Sequence, residues 1–337
     1  MLISIRPVCL LPRCYMRKTS LRKLKYWVSD FLAHLFLTYC IVIFRGLSLK
    51  TIVFISKILG EITFFVHKKY RERVIENLST AFGEEKDLNE IKSLAREVFF
   101  HFTLTALETI FLIANPFDRF LTQFRIEGRE YLDAALAKRR GVIVLGAHLG
   151  SFTLLGMRLA LEGYPINLIS DMGNFPRVTK LFYDNQRRHG QKPFPSKPAS
   201  IAIKKSLNCL RRNELLYLIA DEQQRRGGLP VSFFGKTAYS PPGPAIFSLR
   251  TGAPILPMLV LREKGIPQTL WIGSPIEIER TSDGKKDTEL LTAKFTKAIE
   301  DAVRQYPSQW TWLNRRWKLP FQKGESSKTE KSSFREL

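Results

Sequence analysis

The chain has 337 residues, 45% of them hydrophobic and 25% charged, which is a globular composition long enough for one large domain with an appendage or for two domains. Its formal net charge of +22 points to acidic partners (nucleic acid, anionic lipid head groups or an acidic carrier protein), beside the plain alternative of solubilising charge. The four cysteines, Cys9, Cys14, Cys40 and Cys209, form no CxxC pair and no Cys/His ligand spacing. That argues against a disulfide framework and a zinc site, and fits a reducing compartment.

Residues 1–25 hold Arg6, Arg13, Arg17, Lys18, Arg22, Lys23 and Lys25 with no acid. The apolar run Tyr26 to Phe44 follows, close to the roughly 20 residues that span a bilayer core. Asp30 and His34 near its start shorten the uninterrupted part, so the run could span, enter one leaflet or pack as a core helix. The basic flank before it would keep the N-terminus cytoplasmic, and no small-residue cleavage site follows Phe44. Leu47 to Val66 is again apolar, and two such neighbours suit a membrane-docking helical region over residues 26–66.

From His67 to Asn115 the apolar spacing predicts helices, with Asp87 as an N-cap. From Phe124 the pattern changes. FRIEG, GVIVLGAHLG, INLIS, ELLYLIAD, APILPMLVLR and QTLWIG read as strands, alternating with helical segments such as SFTLLGMRLALEG and SIAIKKSLNCLRR. Such alternation predicts an α/β fold, a sheet with helices on its faces. The expected organisation is a catalytic domain over 67–318 and a disordered polar tail over 319–337.

Three segments carry candidate chemistry. In VIVLGAHLGSFTLLG an apolar strand ends at Gly146 and His148 stands on the turn before a helix. Sites in open α/β sheets gather beyond strand carboxyl ends, a histidine there can serve as general base, and the helix offers free N–H groups to an oxyanion or phosphate. A surface histidine on a loop is the bland alternative. Asp221 to Gly243 also leaves a strand end; Arg225 and Arg226 suit phosphate, and Phe233 and Phe234 read as an apolar wall or as core. Tyr306 to Lys318, YPSQWTWLNRRWK, interleaves Trp and Arg, a pattern for nucleic acid, a membrane interface or structural packing. Against nucleic acid, the basic residues are spread along the chain and no recognised module appears.

Together these segments resemble the bacterial lipid A late acyltransferases of the lysophospholipid acyltransferase superfamily. The family pattern near A-H-x-G-N-W-E reads AHLGSFT here; D-Q-x(4–5)-G-x(3)-F-F-G reads DEQQRRGGLPVSFFG; Q-W-x-W-x-x-R-W-K reads QWTWLNRRWK. Arg71, Asn77 and Leu78 match the family's arginine and Asn-Leu pair, so the likeness runs from about residue 30 to 318.

The resemblance implies a glycerol-phosphate-acyltransferase-like mixed sheet and an enzyme on the cytoplasmic face of the bacterial inner membrane. It would move a fatty acyl chain from acyl carrier protein or coenzyme A to a hydroxyl of a lipid A precursor or related glycolipid, with no cofactor or metal. His148 would be the base, and the residues implied in substrate binding are Gly150, Arg187, Glu222, Arg225, Arg226, Phe234 and Gly235. The family acid falls at Thr153, which can accept a hydrogen bond but carries no charge. Three explanations stay open: Asp221 or Glu222 replaces it; the enzyme is slower or takes another acceptor; or the chain is a catalytically silent lipid- or carrier-binding homologue.

Overall fold

The computed structural model describes residues 20–115, 124–170, 175–224, 226–263 and 268–317. Most of the basic segment 1–25 (with Cys9 and Cys14), the tail 319–337 and Arg225 lie outside the described residues.

Four helices come first: α1 (Ser20–Phe44), α2 (Leu49–Val66), α3 (Lys68–Phe82) and α4 (Leu88–Ala114). Arg45 and Gly46 break the apolar run, and Ser48 restarts it by accepting a hydrogen bond from the Thr51 N–H. Asp87 caps α4 as expected, in a reciprocal box with Glu90. Helix α2 crosses α4 closely at Gly60, where a Cβ would lie 2.8 Å from Phe100 Cα.

The sheet-bearing part that follows contains β1 (Arg125–Glu127), α5 (Arg129–Ala137), β2 (Val142–Gly146), α6 (Phe152–Leu161), β3 (Ile166–Ile169), α7 (Pro176–Arg188), β4 (Lys192–Phe194), α8 (Ala199–Arg211) and β5 (Leu215–Ile219). After these come a hairpin, β6 (Leu229–Phe233) and β7 (Lys236–Ser240), then α9 (Gly243–Thr251), β8 (Ile255–Arg262), β9 (Gln268–Ile272) and α10 (Gly284–Gln305). Seven strands form one mixed sheet in the order β1-β9-β8-β2-β5-β3-β4. All pairs are parallel except β8–β9.

Central β2 reads as an unbroken apolar run because both of its faces are covered. Ile143 and Leu145 pack in the cluster with Cys209, Ala245 and Phe295 of α8, α9 and α10, while Val142 and Val144 pack in the cluster with Leu132 of α5 and Leu155 of α6. The expected α/β alternation is thus present. Two additions depart from the sequence reading. Lys192–Phe194 is a strand too short for periodicity to show. The Gly- and Pro-rich stretch after Asp221, read as loop, contains the β6–β7 hairpin; its turn residues Phe234 (φ +52°) and Gly235 (φ +69°) are both left-handed, as a two-residue hairpin turn requires.

Helices α1 and α2 keep most of their apolar side chains outside the core. Leu32, Leu35, Phe36, Tyr39, Val42 and Ile43 form a helical stripe on α1, with Phe36 67% exposed. The polar residue that interrupts this helix is buried: Asp30 accepts from the backbone N–H of Arg177 at 3.1 Å and pairs with its Nη1 at 3.1 Å. The Arg177 guanidinium stacks over Trp27 and Phe31. Asp30 therefore caps the start of α7 and pins α1 to the sheet's helical layer.

Candidate active site

Strand register brings the leading residues together. Gly146 of β2 lies opposite Ile219 of the parallel strand β5, so the residues two positions beyond each strand end, His148 and Asp221, face one another. The Asp221 carboxylate, 2% exposed, accepts from the His148 backbone N–H at 2.8 Å through Oδ2 and contacts His148 Nδ1 at 2.9 Å through Oδ1. A carboxylate only accepts, so in the neutral imidazole Nδ1 carries the hydrogen and Nε2 presents its lone pair. Burial by itself lowers the proton affinity of His148; the charge and hydrogen bond of Asp221, with a smaller contribution from Glu222, outweigh it and raise the pKa to about 9. Burial would push Asp221 upward, but the His148 charge and the hydrogen bonds from His148 and Trp310 hold it below the usual carboxylate range.

The Trp-rich segment is a strap over this pair. Trp310 donates its indole N–H to Asp221 Oδ2 at 2.6 Å, and Thr311 donates its backbone N–H to the His148 carbonyl at 2.9 Å. Asn77 of α3 holds the strap through the carbonyls of Trp312 (2.6 Å) and Asn314 (2.8 Å). Asn314 in turn donates to Glu222 Oε1 at 2.7 Å, leaving that carboxylate 3.9 Å from His148 Nε2. Of the three readings of this segment, structural packing describes its tryptophans, and the packing is against the candidate site.

Gly150 closes the turn with φ +62°; its N–H donates to Gln309 O, and a Cβ there would lie 2.0 Å from the Val260 carbonyl oxygen. Only glycine fits so close an approach in that conformation. Beneath the turn lies a buried network the sequence reading missed. Glu108 of α4 accepts from Ser151 Oγ (2.8 Å), Arg262 Nη2 (2.6 Å) and Gln268 Nε2 (2.8 Å). Its one available signal was a carboxylate within the apolar stretch TLTALETIFLIA of a long helix.

The other candidates are placed as follows. The Thr153 hydroxyl is 2.8 Å from Thr109 Oγ1, so the imidazole partner is Asp221 and the oxygen at position 153 is engaged with α4. Arg187 pairs with Asp184 at 3.7 Å and covers the Tyr183 ring, contacts local to α7. Arg226 is exposed where the chain enters the hairpin. Phe234 is core rather than an open wall: it is buried among Phe82, Phe233, Trp312 and Trp317, and its N–H donates to Glu300 at 2.7 Å. Gly235 sits at the hairpin tip beside a surface cavity bordered by α3 and α10.

The chain is similar in sequence to known acyltransferases. The chain is 29% identical over 197 residues to a phosphatidylinositol mannoside acyltransferase of Mycobacterium tuberculosis, covering 57% of this chain and 59% of that protein. It is 24% identical over 256 residues to the lipid A biosynthesis palmitoleoyltransferase of Escherichia coli (74% and 79%) and 22% over 262 residues to the lauroyltransferase of that organism (77% and 83%). The chain thus spans about three-fifths of the mycobacterial relatives' length. A family model matches residues 15–319, and the chain belongs to the bacterial lipid A biosynthesis acyltransferase family.

Proposed function

We propose that the protein transfers a fatty acyl group from a thioester, acyl carrier protein or coenzyme A, to a hydroxyl of a glycolipid of the lipid A type. The observation that carries this reading is the His148–Asp221 pair, with Nδ1 committed and Nε2 presenting its lone pair beside the Glu222 carboxylate 3.9 Å away. The acceptor oxygen attacks the thioester carbonyl while Nε2 takes its proton; the C–S bond breaks, the imidazolium returns the proton to the departing sulfur, and the products are an ester and a thiol. No covalent acyl-enzyme is needed. The N–H groups at the start of α6, beside His148, suit the oxyanion that forms. Asp221 does the work that a carboxylate at position 153 would do, which favours catalysis over a silent binding role.

The relatives named above act on phosphatidylinositol mannosides and in lipid A biosynthesis, which supports a glycolipid acceptor. The apolar faces of α1 and α2 support work at a membrane, and the positive charge suits an acidic carrier or phosphorylated lipid. The basic N-terminus supports a cytoplasmic position for that end of the chain, and the proposed place of work is the cytoplasmic face of a bacterial inner membrane.

The test is incubation of the detergent-solubilised protein with acyl carrier thioesters and extracted glycolipids, read by mass spectrometry. A product heavier by one acyl group is expected, and His148→Ala is expected to slow its formation at least ~10²-fold. Absence of transfer to every acceptor, with lipid binding retained, would return the chain to the silent-homologue reading.

A further inference from the structure

The C-terminal ends of α1, α4 and α7 meet away from the His148 turn and enclose a cavity of about 500 Å³ lined by Arg45, Leu112, Ile113, Ala114, Asn115, Arg188 and His189. Its walls are fixed. Asn115 Nδ2 donates to the Phe44 carbonyl at 3.0 Å, which ties the end of α1 to the end of α4. The Asp30–Arg177 pair holds the middle of α1 to the start of α7. Among the described residues, no hydrogen bond or ion pair holds the Arg45 or Arg188 guanidinium. The neighbouring carboxylate on α7, Asp184, is already engaged by Lys180 and Arg187. The two guanidiniums thus border one concavity, and their forked donors suit the oxygens of a phosphate, while the His189 imidazole beside them contacts the Asn185 carbonyl at 2.7 Å through Nδ1.

The position of the cavity says what carries the phosphate. Arg45 directly follows the apolar stripe of α1 that ends in Tyr39, Val42 and Ile43, all exposed. A molecule with acyl chains against that stripe would bring its headgroup to Arg45. Helix α4 runs between the two regions: Thr105 Oγ1 donates to the Gly150 carbonyl at the His148 turn, and the C-terminal end of the same helix lines the cavity.

We propose that this cavity binds a phosphate on the headgroup of the lipid acceptor, an assignment that rests on the reading of the chain as a glycolipid acyltransferase. The phosphate holds the headgroup while a hydroxyl of the same molecule reaches His148.

The test is calorimetric titration of the full chain in a neutral detergent with three probes: dihexanoyl phosphatidic acid, dihexanoyl phosphatidylcholine and inorganic phosphate. Phosphatidic acid is expected to bind at least tenfold more tightly than either of the others. The double variant Arg45→Gln/Arg188→Gln is expected to lose at least tenfold in that affinity with an unchanged melting temperature, since both side chains are exposed. Arg45→Lys/Arg188→Lys is expected to keep most of it. Equal binding of phosphatidic acid by the wild type and the glutamine variant overturns the assignment. Inorganic phosphate binding as tightly as phosphatidic acid overturns its lipid half. Binding is read without turnover, so a wild type that binds phosphatidic acid through these arginines but transfers no acyl group leaves the cavity assigned and removes the catalytic reading.

Discussion

With Nδ1 of His148 committed to Asp221, the form that can accept a proton is the neutral imidazole. Activity is therefore expected to rise with pH toward an inflection above the ordinary histidine range, near the raised value of about 9. Asp221→Asn removes the charge that favours the imidazolium, so its inflection moves to lower pH, while the maximal rate falls by roughly 10²–10⁴-fold. A pH–rate profile with the same inflection in both proteins would count against the pair as the basic group. The same shift bears on stability: because the folded pKa is raised, the contribution of His148 is complete below about pH 6.5 and is lost as pH rises through about 9. His148 was legible in the sequence because a strand end and a turn flank it. Its partner was legible only as one of two candidates, since Asp221 and Glu222 are adjacent and nothing local says which points at Nδ1.

At the scale of elements, the turn between β2 and α6 is held from below by Glu108 and from above by the Trp310 strap. Glu108 and Arg262 are both almost fully buried, at 4% and 6% side-chain exposure. Removing one charge strands the other, so Glu108→Ala is expected to cost about 3–5 kcal/mol in denaturant unfolding. An unfolding midpoint close to wild type would show that the network relaxes around the loss. Glycine substitutions separate close approach from backbone conformation. Gly150 and Gly235 both have positive φ, but an added Cβ at Gly150 meets the Val260 carbonyl, whereas at Gly235 it meets nothing within 4 Å. Gly235→Ala is expected to cost ~1 kcal/mol, the left-handed penalty alone, and Gly150→Ala more than ~2 kcal/mol together with lost activity. Thermal melts of the two variants make the comparison. The hairpin containing Gly235 escaped sequence reading because LPVSF and KTAYS are short and flanked by the glycines and prolines that also mark loops.

At the scale of the whole molecule, the apolar surface is concentrated on the N-terminal helices. The long apolar helices do not share one role: α4 is lodged against the sheet and α2, while α1 turns a continuous stripe outward. Burying one large apolar side chain is worth about 1.5–3 kcal/mol, so Phe36→Asp with Val42→Asp is expected to lower partitioning onto phospholipid vesicles more than tenfold. Both positions are exposed and remote from the core, so the melting temperature in detergent should hold. Vesicle flotation checks this; undiminished flotation would assign the stripe to something other than lipid.

The sequence by itself determined the alternation of strands and helices, the apolar N-terminal helices and the turn bearing His148. These are encoded by local periodicity and by residues adjacent in the chain. Only the tertiary structure decided that Asp221 rather than Thr153 meets the imidazole, that Trp310 closes over that carboxylate, and that Glu108 lies under the turn. Each joins residues 43 to 89 positions apart, which pattern along a chain does not specify. The β2–β5 register and the docking of α4 bring them within hydrogen-bonding distance.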